Sequence, residues 1–211
     1  RIFNSAKNRN AGGGRNYGAK FAKYEYLAFL DDDDFWGKYY LYNASRLIKR
    51  HNSDVILSNL FYMNDKNKIL KKISQPTIQE CFIKNPGSMG SNLIARKRSF
   101  MKLKGYKNIF VPAEDKEFLI RVLQAKMKIN ISNGKVFYNL DSPDSISRNN
   151  IILYKGHSKL FQKYKKIINQ KNKLFIKFKL NNFKRKSEQN LIFKTFYFIQ
   201  AIFYFLLYSI N

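Results

Sequence analysis

The sequence predicts an α/β fold: a mixed sheet flanked by helices, with a basic helical extension at the C-terminal end. Three observations predict it. Short apolar runs of strand length alternate with helical spacings through residue 140, the pattern of an α/β sandwich. Four consecutive aspartates, Asp31 to Asp34, follow directly on the apolar run Tyr26-Leu27-Ala28-Phe29-Leu30. From Ile151 the character changes to Lys-rich helical segments that end in a 20-residue apolar run.

The elements follow in order. Ala11-Gly12-Gly13-Gly14 reads as a flexible turn, and Arg15 to Lys23 as a helix with Tyr17, Phe21 and Ala22 on one side. Glu25 to Leu30 is the strand before the acidic run. Trp36 to Arg50 has the spacing of an amphipathic helix, with Trp36, Tyr39, Tyr40, Ala44, Leu47 and Ile48 recurring at helical intervals. Val55 to Met63 is a second strand, and Ile69 to Ile73 is its hairpin partner across the turn Asn64-Asp65-Lys66-Asn67. Pro76 to Ile83 is a short helix, Asn92 to Ala95 a strand, and Arg98 to Leu103 a helix stopped by Gly105. Pro112 leads into Ala113-Glu114-Asp115, where proline and acids both suit a helix start. Phe118, Leu119, Val122 and Leu123 give that helix its buried face. Lys128 to Ser132 and Lys135 to Leu140 read as two strands. Ile151 to Ile168, Lys171 to Lys186 and Leu191 to Ile210 complete the chain as helices.

Composition narrows the class. An apolar fraction of 45% over 211 residues supports a folded core and excludes a disordered tail. A single cysteine, Cys81, forms no internal disulfide and fits a reducing, cytoplasmic compartment. The first residues are polar and hold no apolar segment of a signal peptide, and no Met begins the chain, which reads as a fragment or a processed product. The formal charge is +26, from 40 Lys and Arg against 14 Asp and Glu. Residues 155–211 hold 13 of the bases and one acid, Glu188, so charge is densest there. A basic nucleic-acid-binding protein is therefore a competing reading, but the lysines are dispersed and no recognition module is visible. Residues 1–150 read as one domain and residues 151–211 as a helical, Lys-rich and apolar tail, with three readings: an interfacial helix on an anionic membrane, a bilayer span by the 20-residue apolar run, or a helix pair packed on the catalytic domain.

Three constellations carry chemistry. Carboxylates crowded at the end of a buried strand repel one another unless a cation sits among them. In a chain poor in acids, Asp31 and Asp33 therefore read as ligands of a hard ion, Mg²⁺ or Mn²⁺, that holds a nucleotide diphosphate. Their side chains project the same way if the backbone stays extended. A solvated acidic loop is the plainer alternative. Glu114-Asp115 reads as a general base at a helix start or simply as a helix cap. The glycines before Arg15 and Asn16 are a weak phosphate signal, because the spacing is not that of a dinucleotide or phosphate-binding loop. A phosphatase with Asp-x-Asp after its first strand is disfavoured, because Asp34 and Phe35 follow Asp33 where Thr or Val two residues on would be needed.

The order of these pieces resembles family 2 of the inverting glycosyltransferases, which have the GT-A fold. The resemblance rests on Asn10-x-Gly12-Gly13-Gly14-Arg15-Asn16-x-Gly18 and on Glu25 to Leu30 followed by Asp31-x-Asp33-Asp34-x-Trp36. Gly90-Ser91-Asn92-Leu93-Ile94-Ala95-Arg96, Glu114-Asp115 with Leu119-Ile120-Arg121, and Ser145-Ile146-Ser147 continue it, over about residues 4–150. It implies transfer of a sugar from a nucleotide-sugar donor to a glycan or lipid-linked acceptor by a single displacement, as in surface polysaccharide synthesis at the inner face of the cell membrane. Asp33, with Asp31, would hold the metal. Asp31, Asp32, Arg15 and Asn16 would contact the donor, and Asp115, helped by Glu114, would serve as base. Family members place a β-α-β stretch ahead of the Asn-x-Gly segment. It is missing here, so the chain alone is expected to be poorly active, and an inactive fragment is the alternative.

Overall fold

The computed structural model describes residues 10–140 and 148–210. The sheet is organised around β3 (Val55–Tyr62), an uncharged strand with six of its eight residues buried. Along one edge β3 runs parallel to β6 (Ile129–Tyr138), from Val55 opposite Ile129 to Tyr62 opposite Tyr138. Along the other it pairs antiparallel with β5 (Leu93–Arg96) near its start and with β4 (Ile69–Lys71) near its end. β1 (Tyr26–Ala28) flanks β5 and β2 (Phe35–Trp36) flanks β6, giving the order β1-β5-β3-β6-β2.

The period-two alternation of β3 divides the core into two layers. Val55 and Leu57 face the larger cluster, with Phe100, Tyr106, Phe118 and Ile120. Ile56 and Leu60 face the smaller one, which α2 (Tyr40–His51) covers with Tyr40 and Ala44. Against the larger layer pack α1 (Ala11–Phe21), α3 (Ile78–Ile83), α4 (Lys97–Lys102) and α5 (Glu114–Gln124). The later helices α6 (Asn150–Tyr164) and α7 (Gln170–Ser187) share it, through Leu160, Tyr164 and Ile176. Only α8 (Leu191–Ile210) stands outside, against α7, with Ala201 as its one buried residue.

Three local expectations are corrected. The glycines at 12–14 lie in the first turn of α1 rather than in a flexible turn, because the Asn10 side chain caps it, accepting the Gly13 N–H at 2.9 Å. Trp36 belongs to β2 and not to α2; it stacks on Tyr40 at 4.7 Å between ring centres. The two strands expected over 128–140 are one strand, β6, whose register shifts opposite Ser58 and Asn59. Gly134 lies at this irregularity, where a Cβ would come 3.0 Å from the Tyr40 ring and 3.2 Å from its Cα. The apparent interruption in the sequence is thus a bulge.

α5 is fixed from three sides through one carboxylate. Glu117 is fully buried and ion-paired to Arg121 at 2.7 Å and to Lys163 of α6, and Tyr164 donates to it at 3.0 Å. Arg121 in turn donates to the carbonyls of Leu103 and, at 2.6 Å, Gly105. The preceding residue, Lys116, also meets α6, its Nζ 3.4 Å from His157 Nδ1. Burial, with the charge of Lys179, pushes Lys116 down to about 7. Burial and the Lys116 and Lys179 charges push His157 down to about 2, so the ring is neutral and accepts from Lys116.

Candidate active site

The chain leaves β1 at Ala28 and reaches the acidic run after Phe29 and Leu30. There it does not stay extended. The Asp34 N–H donates to the Asp31 carbonyl at 3.2 Å and closes a tight turn over Asp31–Asp34. The same-side projection of Asp31 and Asp33 expected of a strand therefore does not apply. The turn instead sorts the four carboxylates by environment: Asp31 is half-buried, Asp32 and Asp33 are exposed, and Asp34 is buried.

Ser91, in the single 3₁₀ turn Gly90–Asn92 before β5, holds this turn in place. Its Oγ accepts the Asp31 N–H at 3.0 Å, and its carbonyl accepts the Trp36 indole N–H at 2.8 Å. Asp34 accepts the Asn139 N–H at 2.9 Å, which ties the turn to the end of β6. Burial raises the Asp34 carboxyl pKa. Hydrogen bonds from Ser91 and Asn139 oppose that, and Asp33 and Asp31 add to it.

Arg15 projects from α1 into the same pocket. Its Nη2 donates to both oxygens of Asp31, at 2.7 and 2.8 Å, and its Nη1 lies 3.5 Å from Asp115 Oδ1. One guanidinium thus joins two carboxylates 84 positions apart in sequence. Burial works against the Arg15 charge, but Asp115, Tyr106 and Asp31 outweigh it and hold the pKa above its ordinary value. Gly90 makes room for this bridge: a Cβ there would collide with the guanidinium.

Asp115 and Glu114 open α5 across the pocket. Burial, opposed by Arg15 and reinforced by Glu114 and Asp31, pushes Asp115 up to about 7. The Glu114 carboxyl is also raised, by burial first. Neither carboxylate caps the helix, whose N-cap residue is Ala113 and lacks a side-chain bond. Tyr138, at the end of β6, is pushed up to about 12 by burial and then by the charges of Asp34, Asp31, Asp115 and Asp33. Several buried polar atoms around this pocket have no hydrogen-bond partner: Arg15 Nε, Asp34 Oδ2, Tyr106 OH and Glu114 Oε2. Such atoms are costly unless a ligand or solvent meets them. Replacing Arg15 with Met should raise the Asp115 pKa above 7, because the charge that lowers it is gone; a side-chain carboxyl NMR titration that shows no upward shift would refute the coupling.

Of the residues singled out in the sequence, the structure brings Asp31, Arg15, Asp115 and Glu114 together, and it places Asn16 against the loop after Gly105. The Asn16 amide donates to the Tyr106 carbonyl at 2.7 Å and accepts its N–H at 2.8 Å. It clamps the backbone after Gly105, whose φ of +56° is one that glycine adopts freely. Asn16 thus positions this loop. Sequence reasoning overlooked Asp34, Ser91 and Tyr138. Asp34 carried a signal, as the last member of the acidic run, whereas Ser91 and Tyr138 are drawn in by the sheet. Ser145 and Ser147 lie outside the described residues.

Among the described residues no three His, Cys, Asp or Glu side chains converge as a metal-ligand set. The residues fit a metal of the kind that takes one or two carboxylates and completes its shell with substrate phosphate. Asp33 is open to solvent, and Asp34 Oδ2 is buried without a partner. Asp31 is already neutralised by Arg15, which leaves Asp33 as the freer oxygen ligand.

No curated protein matches this chain. Among solved structures it is similar to TarS of S. aureus, at 15% identity and a TM-score of 0.49, over 92% of this chain and 41% of that one. It thus spans less than half of the TarS chain. Residues 1–349 of TarS, crystallised in complex with UDP, match at 15% identity and a TM-score of 0.47, over 92% of this chain and 68% of that one. The same portion in complex with UDP-GlcNAc matches at 14% identity and a TM-score of 0.45, over 92% of this chain and 69% of that one. The family described as Glycosyl transferase family 2 matches residues 1–110, just over half of the sequence. With that match and a GT-A-like mixed sheet flanked by helices, this chain belongs to glycosyltransferase family 2.

Proposed function

We propose that the protein transfers a sugar from a nucleotide-diphosphate sugar to a hydroxyl of a glycan or lipid-linked acceptor, with inversion at the anomeric carbon. The setting is surface polysaccharide synthesis by an enzyme peripheral to the cytoplasmic face of the cell membrane. The observation that carries this reading is the Arg15 bridge, which brings the acidic turn and the start of α5 into one pocket. Diphosphate anchor and base then lie side by side, as a single displacement requires.

Asp33, with Asp31 or Asp34 beside it, would hold Mg²⁺ or Mn²⁺; when bound, the ion would offset the charge growing on the leaving diphosphate. The Arg15 guanidinium lies at the same place and can add to that stabilisation once the donor displaces part of its contact with Asp31. Asp115 takes the acceptor proton. A carboxyl near 7 suits this task, since it is basic enough to accept a proton and largely ionised just above neutrality. Glu114 shares the acceptor side.

The test is donor binding and transfer with uridine and guanosine diphosphate sugars, with and without Mg²⁺ or Mn²⁺. Binding should strengthen with metal, and Asp33→Ala should remove both the metal dependence and the transfer. Proton NMR of the product should show the anomeric configuration opposite to that of the donor. Retained configuration, or unchanged metal dependence in Asp33→Ala, would refute the corresponding step.

A further inference from the structure

We infer that α7 and α8 form a hairpin that lies in the plane of an anionic membrane leaflet, with α8 embedded along its length and not crossing the bilayer. The inference deepens the peripheral-membrane part of the proposed function and rests on it.

By length and composition alone, α8 could span a membrane. Its surroundings point elsewhere. α7 runs antiparallel along α8: Lys171 lies over the Tyr208 ring at 5.3 Å, Lys177 over Tyr204 at 5.1 Å, and Lys184 over Tyr197 at 5.0 Å. Arg185 lies over Phe198 at 5.4 Å, and Phe178 meets Phe205 at 5.4 Å. These contacts occupy one face of α8 from Tyr197 to Tyr208. Lys194, its one charged residue, belongs to that face by helical spacing with Tyr197, Phe198 and Ala201.

The opposite face is a stripe of Ile192, Phe196, Ile199, Phe203, Leu206 and Ile210, spaced alternately by four and three residues and without a polar member. All six side chains are exposed, from 42% to 83% across α8's exposed apolar residues. α7 is anchored to the folded core by Ile176 and Leu180 and carries seven Lys and Arg with no acid.

A spanning α8 would have to abandon α7 or drag its cations into hydrocarbon, at several kcal/mol for each charge on the order of translocon scales. Lying flat satisfies both halves. The stripe enters the boundary between headgroups and acyl chains, and the α7 cations stand at headgroup depth against anionic lipid. A stripe with this spacing also suits a seam with a second copy. Pairing two copies there would bring two acid-free cationic helices near one another, so charge complementarity favours the anionic lipid.

The full chain should float with phosphatidylglycerol/phosphatidylcholine vesicles, bind phosphatidylcholine vesicles far more weakly, and lose binding as salt rises. Ile199→Glu with Phe203→Glu should weaken binding at least tenfold while circular dichroism and the melting temperature stay unchanged, since both positions are exposed. In a Cys81→Ser background, Ile192→Cys and Ile210→Cys labelled with a fluorophore should show equal, shallow quenching by lipid-borne nitroxides. Labels in opposite leaflets would establish a span and overturn the proposal. So would absence of vesicle binding, or a dimer in sedimentation velocity that the double substitution dissociates. None of these readouts uses glycosyl transfer, so failure of donor binding would refute the enzymatic reading and leave this one standing.

Discussion

Asp115→Asn should lower transfer by about 10²- to 10⁴-fold, the usual worth of a positioned general base, while donor affinity changes little. Asparagine matches aspartate in shape, and its carbonyl can still face Arg15 Nη1, which lies 3.5 Å from Asp115 Oδ1. What is lost is the ability to take a proton. In the unsubstituted protein, burial lifts this carboxyl to about 7 even though Arg15 pulls the other way. The transfer rate should therefore climb through pH 7 and level off above it, as the ionised fraction saturates. Arg15→Met, by raising that pKa, should move the rise to higher pH. Rates at several pH values, with donor affinity by calorimetry, check this. If affinity collapsed with the rate, Asp115 would be a donor ligand and not the base.

Glu117→Gln should cost about 3–5 kcal/mol of stability, the range for breaking a buried ion pair from one side. Its carboxylate is wholly buried and faces Arg121, Lys163 and Tyr164, so its loss leaves two cations facing a neutral amide. For a chain of this size that corresponds to a fall of roughly 10 °C in Tm. The sign with pH follows from the carboxyl's lowered pKa: burial raises it, but Arg121 and Lys163 more than offset that. A depressed carboxyl contributes stability above its unfolded pKa and loses it as pH falls through the folded value. The gap between variant and unsubstituted protein should therefore be full at neutral pH and close in acid. A gap that persisted at low pH would assign the effect to packing.

Much of the fold was legible because local chemistry and tertiary structure agree in it. β3, α5, α6 and α7 stand where apolar periodicity placed them, since each turns buried residues toward the core, and α8 stands where its 20-residue apolar run placed it, although Ala201 is its one buried residue. The acidic run drew notice as a candidate site because four carboxylates in a basic chain need a physical reason. Its geometry was not legible, because whether a strand continues or turns after Leu30 depends on the Asp31–Asp34 hydrogen bond and on Ser91, 60 residues away. The loop-positioning bonds of Asn16 were hidden for a related reason: its partner, the Tyr106 backbone, lies 90 residues away. Trp36 has helical spacing with Tyr40 and still pairs as a strand, opposite Val136, because β6 offers it a free edge.

Gly156 ties the tail to the site more closely than either sequence segment suggests. A Cβ at that position of α6 would run into the Val111 carbonyl and press on that of Phe110, three and four residues before Glu114. The backbone that delivers both acids is thus seated directly on α6, and α6 is continuous through α7 with the helix proposed to enter the membrane. If the hairpin seats on a membrane and Asp115 serves as the base, the packing of Gly156 on residues 110 and 111 links the two. Anchorage and proton transfer would then be parts of one mechanical unit, and a bulky residue at 156 would disturb both at once.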